Sequence, residues 1–558
     1  MSHLFAVLEP AAHRLPAAPG DALTLRGRRL ALAGDFEGGV RQVWSGAERV
    51  CGRVAWAADA ALASDGGAAP EGAVRTIGPV REAVAVSREA PVAVWWWRAT
   101  ADTAVRIRVE PGADAAQVPG PGGSGARWSA GAVEVAVALD GPEGAWRLRA
   151  DGAALRVDGR LQAGATLRLA LAADADGARL PALLAAALST DEPLRGGRAA
   201  IRRRAREGLR ATAEDARVGA ALAWARHRLD SHHVELPDGR CVVSGLGGAA
   251  PPAVRLADAA LAGLAAAAAG DSALAREAAA WLLARPAAEG ALAHRLLLPA
   301  RILAWQGGLG FAAQCWPRLR ALLDAPRAEA DVGPAGDLRW AVALAEVAVL
   351  AEALGLAADA AELRARAGAL TAGRPAAVAE LFAPPGPPAP WAAWATCGAG
   401  ATDAWLVAAG RPGDAGPGAW RGAGHPDGAA AAAGVLLGFV HGVLGARPDA
   451  TRHRLVLRPV LPATWTRLEV AGLPLGDAAV TLSYTRRGGV HRFEVEAETG
   501  AVPPQLVLEP ALQGSGVRGV RVDGVGAELD ARRAGERLVV PVQVPLDGPR
   551  VLEVEMED

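Results

Sequence analysis

Lysine and asparagine are absent from the 558 residues, so all 59 basic side chains are arginine. Without lysine there is no Schiff-base amine, no P-loop lysine and no protein-kinase lysine, which excludes those chemistries. Tyrosine occurs once, as Tyr484, and aromatic residues make up only 4% of the chain. The four cysteines, Cys51, Cys241, Cys315 and Cys397, lie far apart with no CxxC pair. That spacing argues against a zinc ribbon or a disulfide framework. Neither sign of charge dominates: the net charge is −1, so no global field favours nucleic acid or an anionic membrane. Long apolar runs are also missing. The longest, such as 257–269, is alanine-rich and broken by charge or glycine, short of the roughly 18–20 residues a spanning helix needs. The first twenty residues lack the basic start and apolar core of a secretory signal. These absences predict a reduced, soluble, cytoplasmic protein with no nucleic-acid or membrane partner. No G-x-S-x-G elbow and no dinucleotide fingerprint in a strand–turn–helix context occurs, so neither a serine hydrolase nor a nucleotide cofactor is expected.

What is present divides into three stretches by hydrophobic period. Up to about residue 195 the apolar residues alternate, as in 105–110, 133–139, 146–150, 155–159 and 166–174, with Gly, Pro and Asp clusters between. This predicts an N-terminal antiparallel β-sandwich over 1–195. From 196 to 450 the period becomes helical. Segments at 199–229, 255–269, 272–284, 292–304, 311–323, 338–354, 357–371, 391–409 and 428–444 are punctuated by Gly270-Asp271, Pro286, Gly307-Gly308, Gly355 and a proline run near 384–388. The segment 199–229 reads as one long linker helix. From 451 to 558 strands return, predicting a small C-terminal β-sandwich. The length fits this multidomain β + α + β order, since one core does not extend over so many residues.

Two passages give the order a family likeness. Residues 434–476 carry GVLLGFVHGVLGARPDATRHRLVLRPVLPATW, and 241–283 carry GLGGAAPPAVRLADAALAGLAAAAAGD. The chain resembles the six-hairpin glycosidases, the glycogen-debranching, glucoamylase-like and rhamnosidase-like enzymes. Those families close a helical toroid with a "GLLG-pD" turn and an "L-L-P-LP--W" strand. Gly442–Gly445, Pro448-Asp449, Leu455–Pro462 and Trp465 stand in those places. The resemblance implies an (α/α)6-type toroid over 196–450. Here nine or ten helical segments stand where a full toroid has twelve, which leaves room for a trimmed barrel. It also implies an α-linked oligosaccharide or glycoconjugate as substrate, with no cofactor.

Glycoside hydrolysis needs one protonated and one ionised carboxyl across the scissile bond. By resemblance the general acid lies near the start of a helix containing LRWAVAL, where Asp337 precedes Trp340, and the base opens the last toroid helix at Asp427. Asp414 is the fallback base. Asp258, after the Pro251-Pro252 turn, and Arg255 are the expected ligands of sugar hydroxyls. Trp420, Arg421, His425 and Asp427 combine aromatic, cation and carboxylate in one loop, a set suited to sugar recognition. Trp391 and Trp394 offer a stacking wall. Each acid also has an ordinary structural reading as a helix-start residue. An inverting course is expected if Asp337 and Asp427 face each other. His232-His233 point apart on a strand without a second ligand pair, so no metal is expected. Trp95, Trp96 and Trp97 read as strand packing, with the first and last on one face.

The tryptophan-rich loop that ends in Arg-Asp in debranching-type enzymes is GGAAPPAVRLAD here. A catalytically degenerate relative, serving as a carbohydrate-binding or scaffold module, is therefore the alternative, and an epimerase or phosphorylase on the same toroid is the third reading. A polysaccharide lyase is excluded by the missing asparagine and by the single tyrosine in the C-terminal region. Oligomeric state leaves no mark in the sequence.

Overall fold

The computed structural model describes residues 15–189 and 429–557 apart from short breaks, together with 203, 207–236, 239–242, 254–327 and 334–371. The chain forms two compact units. The described residues of the first fall within Met1–Arg204 and Asp230–Ala253; the second holds Ala205–Leu229, Val254–Ala409 and Ala429–Asp558.

The first unit contains two antiparallel sheets of nine and seven strands. Alternation builds them. In the strand Thr103–Pro111, Val105, Ile107 and Val109 are buried while Arg106 and Arg108 are exposed, so one face meets the core and the other water. The tryptophan triplet lies in the strand Val92–Ala99, and all three rings are buried. Trp96 joins an apolar cluster with Val94, Ala138 and Ala170 under helix α1, Leu180–Ser189. Trp95 and Trp97 take the opposite face, as period two requires, and Trp97 Nε1 donates to Glu82 at 3.1 Å. Trp128 Nε1 donates to the Val50 carbonyl at 2.7 Å, tying the two sheets together.

Eight further helices occur among the described residues, all in the second unit except for the last turn of α2: α2 (Ala216–His232), α3 (Leu256–Ala268), α4 (Ser272–Leu283), α5 (Leu292–Gln306), α6 (Leu309–Asp324), α7 (Pro334–Ala353), α8 (Ala357–Thr371) and α9 (Ala429–Leu437). Turns of two or three residues join α3 to α4, α5 to α6 and α7 to α8, which makes each pair an antiparallel hairpin. Gly270, Gly307 and Gly355 supply the positive φ those turns need. Between the hairpins lies a core of Leu296, Leu303, Leu319, Leu322, Trp340, Leu344, Val347 and Leu363, all nearly inaccessible.

Six C-terminal strands and the strand Arg210–Ala213 form a seven-stranded antiparallel sheet; the other C-terminal strands form a four-stranded sheet with one parallel pair and a small three-stranded sheet. The 199–229 segment differs from its sequence reading as one helix. Its described part contains the strand Arg210–Ala213, paired antiparallel with Arg467–Leu475 at the edge of the large C-terminal sheet, before α2 begins. Gly208 and Gly472 allow this crossing, since a Cβ on Gly472 would stand 2.1 Å from the Gly208 carbonyl oxygen. Glu214 fastens the strand end by accepting from the Thr466 amide and hydroxyl, both at 2.8 Å. A hairpin of His233–Leu236 with Gly239–Val242 also interrupts the helical period that the sequence shows.

Candidate functional site

Alternate helices form an inner row. Helix α3 packs against α5 and α9, and α5 packs against α7, while α4, α6 and α8 sit behind as the return arms of the hairpins. Because each hairpin reverses direction, α3, α5 and α7 run the same way. Their C-terminal ends meet the start of the strand Arg210–Ala213 and turns of the C-terminal region. The Leu209 amide donates to Ala269 at 3.1 Å and the Gly476 amide to Trp305 at 2.7 Å, while Arg452 lies 3.9 Å from Glu352. Helix α9 ends in the same region. It continues into a π-helical turn, Gly438–Val443, and the Val443 and Leu444 carbonyls accept from Val460 and Arg458 at 2.8 and 2.9 Å. The N-terminal ends of the inner helices therefore share the opposite end, where positive helix dipoles converge.

The helical period of 3.6 residues then decides what each helix presents to the inside of the row. On α3, Gly263 faces its neighbours: a Cβ there would stand 2.7 Å from Leu298 of α5 and 3.3 Å from Ala278 of α4. Asp258 and Leu261 lie about 140–160° round the helix from Gly263 and are half-buried. On α5, Gln306 accepts from Arg276 of α4 at 3.0 Å, marking the outward side. His294, Leu297, Arg301 and Ala304, at successive spacings of three, four and three, form the half-buried opposite stripe. On α7, Trp340, Leu344 and Ala348 belong to the hairpin core. Glu346 lies about 200° from Leu344, and Arg339 about 140°, so these two face inward.

Inside the row the structure pairs Arg301 with Glu346 at 2.7 Å, with side chains only 19% and 18% exposed. His441 lies at the C-terminal end of this space, its ring 6.1 Å from that of Trp305. Its Nδ1–H donates to the Ala446 carbonyl at 2.8 Å. Burial above all, with the charge of Arg301 adding to it, pushes the His441 pKa down to about 4, leaving the imidazole neutral at pH 7. Asp258 at the mouth takes no polar partner among the described residues, and neither does Arg339. The inner face thus combines carboxylates that accept, guanidinium groups that donate, the His294 ring and the neutral His441 imidazole, among apolar side chains. Such sparse, convergent polar groups suit a polyhydroxyl ligand.

The residues singled out in the sequence separate here. Arg255 stands exposed at the N-cap of α3, and Asp258 is in the first turn of that helix on the inner stripe. Asp337 is in the first turn of α7 at the same end of the row. It lies seven residues before Leu344, so it points with the hairpin core rather than with Glu346. There it accepts from Arg327 Nη1 at 2.8 Å, and the same guanidinium covers Trp340 at 5.8 Å from the ring centroid. Trp391, Trp394, Asp414, Trp420, Arg421, His425 and Asp427 lie outside the described residues. Arg301, Glu346 and His441 escaped the sequence reading. A helical wheel of 334–353 would have exposed Glu346 as the charge opposite the Trp340–Leu344–Ala348 stripe. Tyr484, the only tyrosine, is buried in the C-terminal sheet against His491 at 3.0 Å. No group of metal-ligating side chains occurs among the described residues, and no described helix is long and apolar enough to cross a membrane.

Antiparallel sheets that precede and follow a run of helical hairpins along the chain match the six-hairpin glycosidase-like multidomain fold. Its solved neighbours are carbohydrate-active proteins of that fold. A protein named for kojibiose phosphorylase activity, from the human microbiome, superposes with a TM-score of 0.57 at 7% identity, covering 96% of this chain and 99% of its own. A bacterial glucoamylase complexed with acarbose gives 0.45 at 9% identity, over 64% of this chain and 69% of its own. The Streptomyces avermitilis α-L-rhamnosidase complexed with L-rhamnose gives 0.44 at 12%, over 87% and 54%. No family model and no curated protein matches the sequence. At such identities the likeness establishes the fold and leaves the reaction to be argued from the site.

Proposed function

We propose that the chain acts on an α-linked oligosaccharide or glycoconjugate taken into the N-terminal mouth of the inner helices. The observation that carries this reading is the set of polar side chains on the inner face, Asp258, His294, Arg301, Arg339 and Glu346, among apolar neighbours such as Leu261, Leu297 and Ala304. Sugar hydroxyls would bond to the carboxylates and guanidinium groups while the apolar neighbours exclude water. Cleavage would follow the two-carboxylate route, one carboxyl protonating the leaving oxygen and the other activating water. Asp427, which precedes α9 in the sequence and lies outside the described residues, is the base proposed from the sequence pattern, and Asp337 is the acid proposed from it.

The side on which Asp337 lies favours a second reading. Its oxygen is held by Arg327, which has only donors, at the edge of the hairpin core. A row of helices with that aspartate turned outward would bind sugar without cleaving it. One experiment separates the two: malto-oligosaccharides, α-glucosides and α-rhamnosides are incubated with the protein, and both binding and sugar release are measured. Release that Asp427→Asn abolishes supports hydrolysis. Binding without release supports the binding module, and neither binding nor release contradicts both readings.

A further inference from the structure

The strands Arg149–Asp151, Ala154–Leu161, Thr103–Pro111 and Glu48–Ala58 of the first unit's seven-stranded sheet present an exposed, charged face. In register across its strands, Arg149 stands opposite Arg156, Arg156 opposite Arg108, and Arg108 opposite Ala55. Three guanidinium groups thus line up across three adjacent strands, spaced by the roughly 4.8 Å between strands. Like charges directly opposite one another on a sheet are destabilising. The next row holds Asp158, Arg106 and Ala57, and Arg160 stands opposite Ala104 beyond it. Arg53 lies on the same face, opposite Glu110. Six arginines therefore share this face with three acids, Glu110, Asp151 and Asp158.

Those acids are already engaged. Asp158 receives Arg106 at 3.0 Å and Arg156 at 2.6 Å, Glu110 receives Arg108 at 3.1 Å, and Asp151 lies 4.0 Å from Arg156. Arg53, Arg149 and Arg160 are exposed and take no partner among the described residues. A flat face with an excess of three positive charges, in a protein whose net charge is −1, is complementary to a polyanion. Its chemistry narrows the polyanion further. The outward residues between the arginines are alanines, with no aromatic ring among them, so bases have no stacking platform. The anions that the face already seats are carboxylates, which match the guanidinium fork.

We propose that this sheet face binds a carboxylate-bearing polysaccharide, a glycan rich in uronic acid, lying across the Arg149–Arg156–Arg108 row. The site is independent of the inner helical face and of any reaction there. Polygalacturonate and its fully methyl-esterified form are titrated against the intact protein by calorimetry at 50 and 200 mM salt, with single-stranded homopolymeric DNA as the competing polyanion. Polygalacturonate is expected to bind and to weaken at least tenfold at the higher salt, because charge contacts are screened, and the neutral ester is expected not to bind. Arg149→Gln combined with Arg108→Gln should weaken binding at least tenfold with the thermal midpoint kept. Should that double variant lose its fold, Arg160→Gln, exposed at the sheet edge, should still weaken binding two- to threefold. Equal binding of acid and ester, tighter binding of DNA, or unchanged affinity in a folded double variant would overturn the proposal.

Discussion

Helix α7 carries two acids whose surroundings differ because of their phase on the helix. Asp337 and Glu346 are nine residues apart, about two and a half turns, which sets them on opposite sides. Asp337 lies against Arg327 and Trp340, at the edge of the core that holds the hairpins together. Glu346 lies against Arg301 of the neighbouring inner helix, on the side away from that core. The contrast teaches that position near a helix start does not assign an acid to a site. Which stripe it belongs to does.

The comparison can be broken most forcefully from the core side. Leu344→Ala removes a fully buried side chain and should cost about 2–5 kcal/mol, read as a lower denaturant midpoint. A loss under about 1 kcal/mol would mean that this stripe is not the packed one. Acid should act next, through the interior histidine. The His441 pKa is depressed by burial to about 4 from an ordinary value near 6.5. A neutral imidazole is therefore favoured in the folded state, and stability is full above about pH 6.5. It falls as pH drops toward 4, by at most about 3 kcal/mol from this group. His491, buried beside Tyr484 and also held at about 4, adds a loss in the same direction and window. Replacing His441 with Gln should flatten the acid limb of a midpoint-versus-pH curve.

Glu346→Gln should follow in size. It leaves Arg301 without its charge partner inside the row, and the affinity for a bound oligosaccharide should fall at least tenfold, about 1.4 kcal/mol. Asp337→Asn should have the smallest effect. Its ion pair with Arg327 is a quarter exposed, so about 1 kcal/mol of stability or less is expected, with sugar affinity unchanged.

Much of the helical row is legible in the chain. The glycines at 270, 307 and 355 mark the tight reversals because only they take positive φ without strain. The segments read at 255–269, 272–284 and 357–371 become α3, α4 and α8 within a residue or two. The strand Arg210–Ala213 was not legible. Its four residues, RATA, are exposed or half-buried at a sheet edge and are held by backbone pairing and by Glu214, not by an apolar pattern. The site was half legible. Asp258 stands in the first turn of α3, where the helical period that begins near 255 puts it. The Arg301–Glu346 pair depends on the lateral packing of two helices separated by α6, which no local window contains.

The central claim is that sugar is held by the inner stripe and not at the hairpin edge. The most direct measurement is a calorimetric titration of one oligosaccharide into wild type, Glu346→Gln and Asp337→Asn under one condition. An affinity loss of tenfold or more for Glu346→Gln, with Asp337→Asn within twofold of wild type, is the predicted result. The reverse order, Asp337→Asn crippled and Glu346→Gln unaffected, would contradict it.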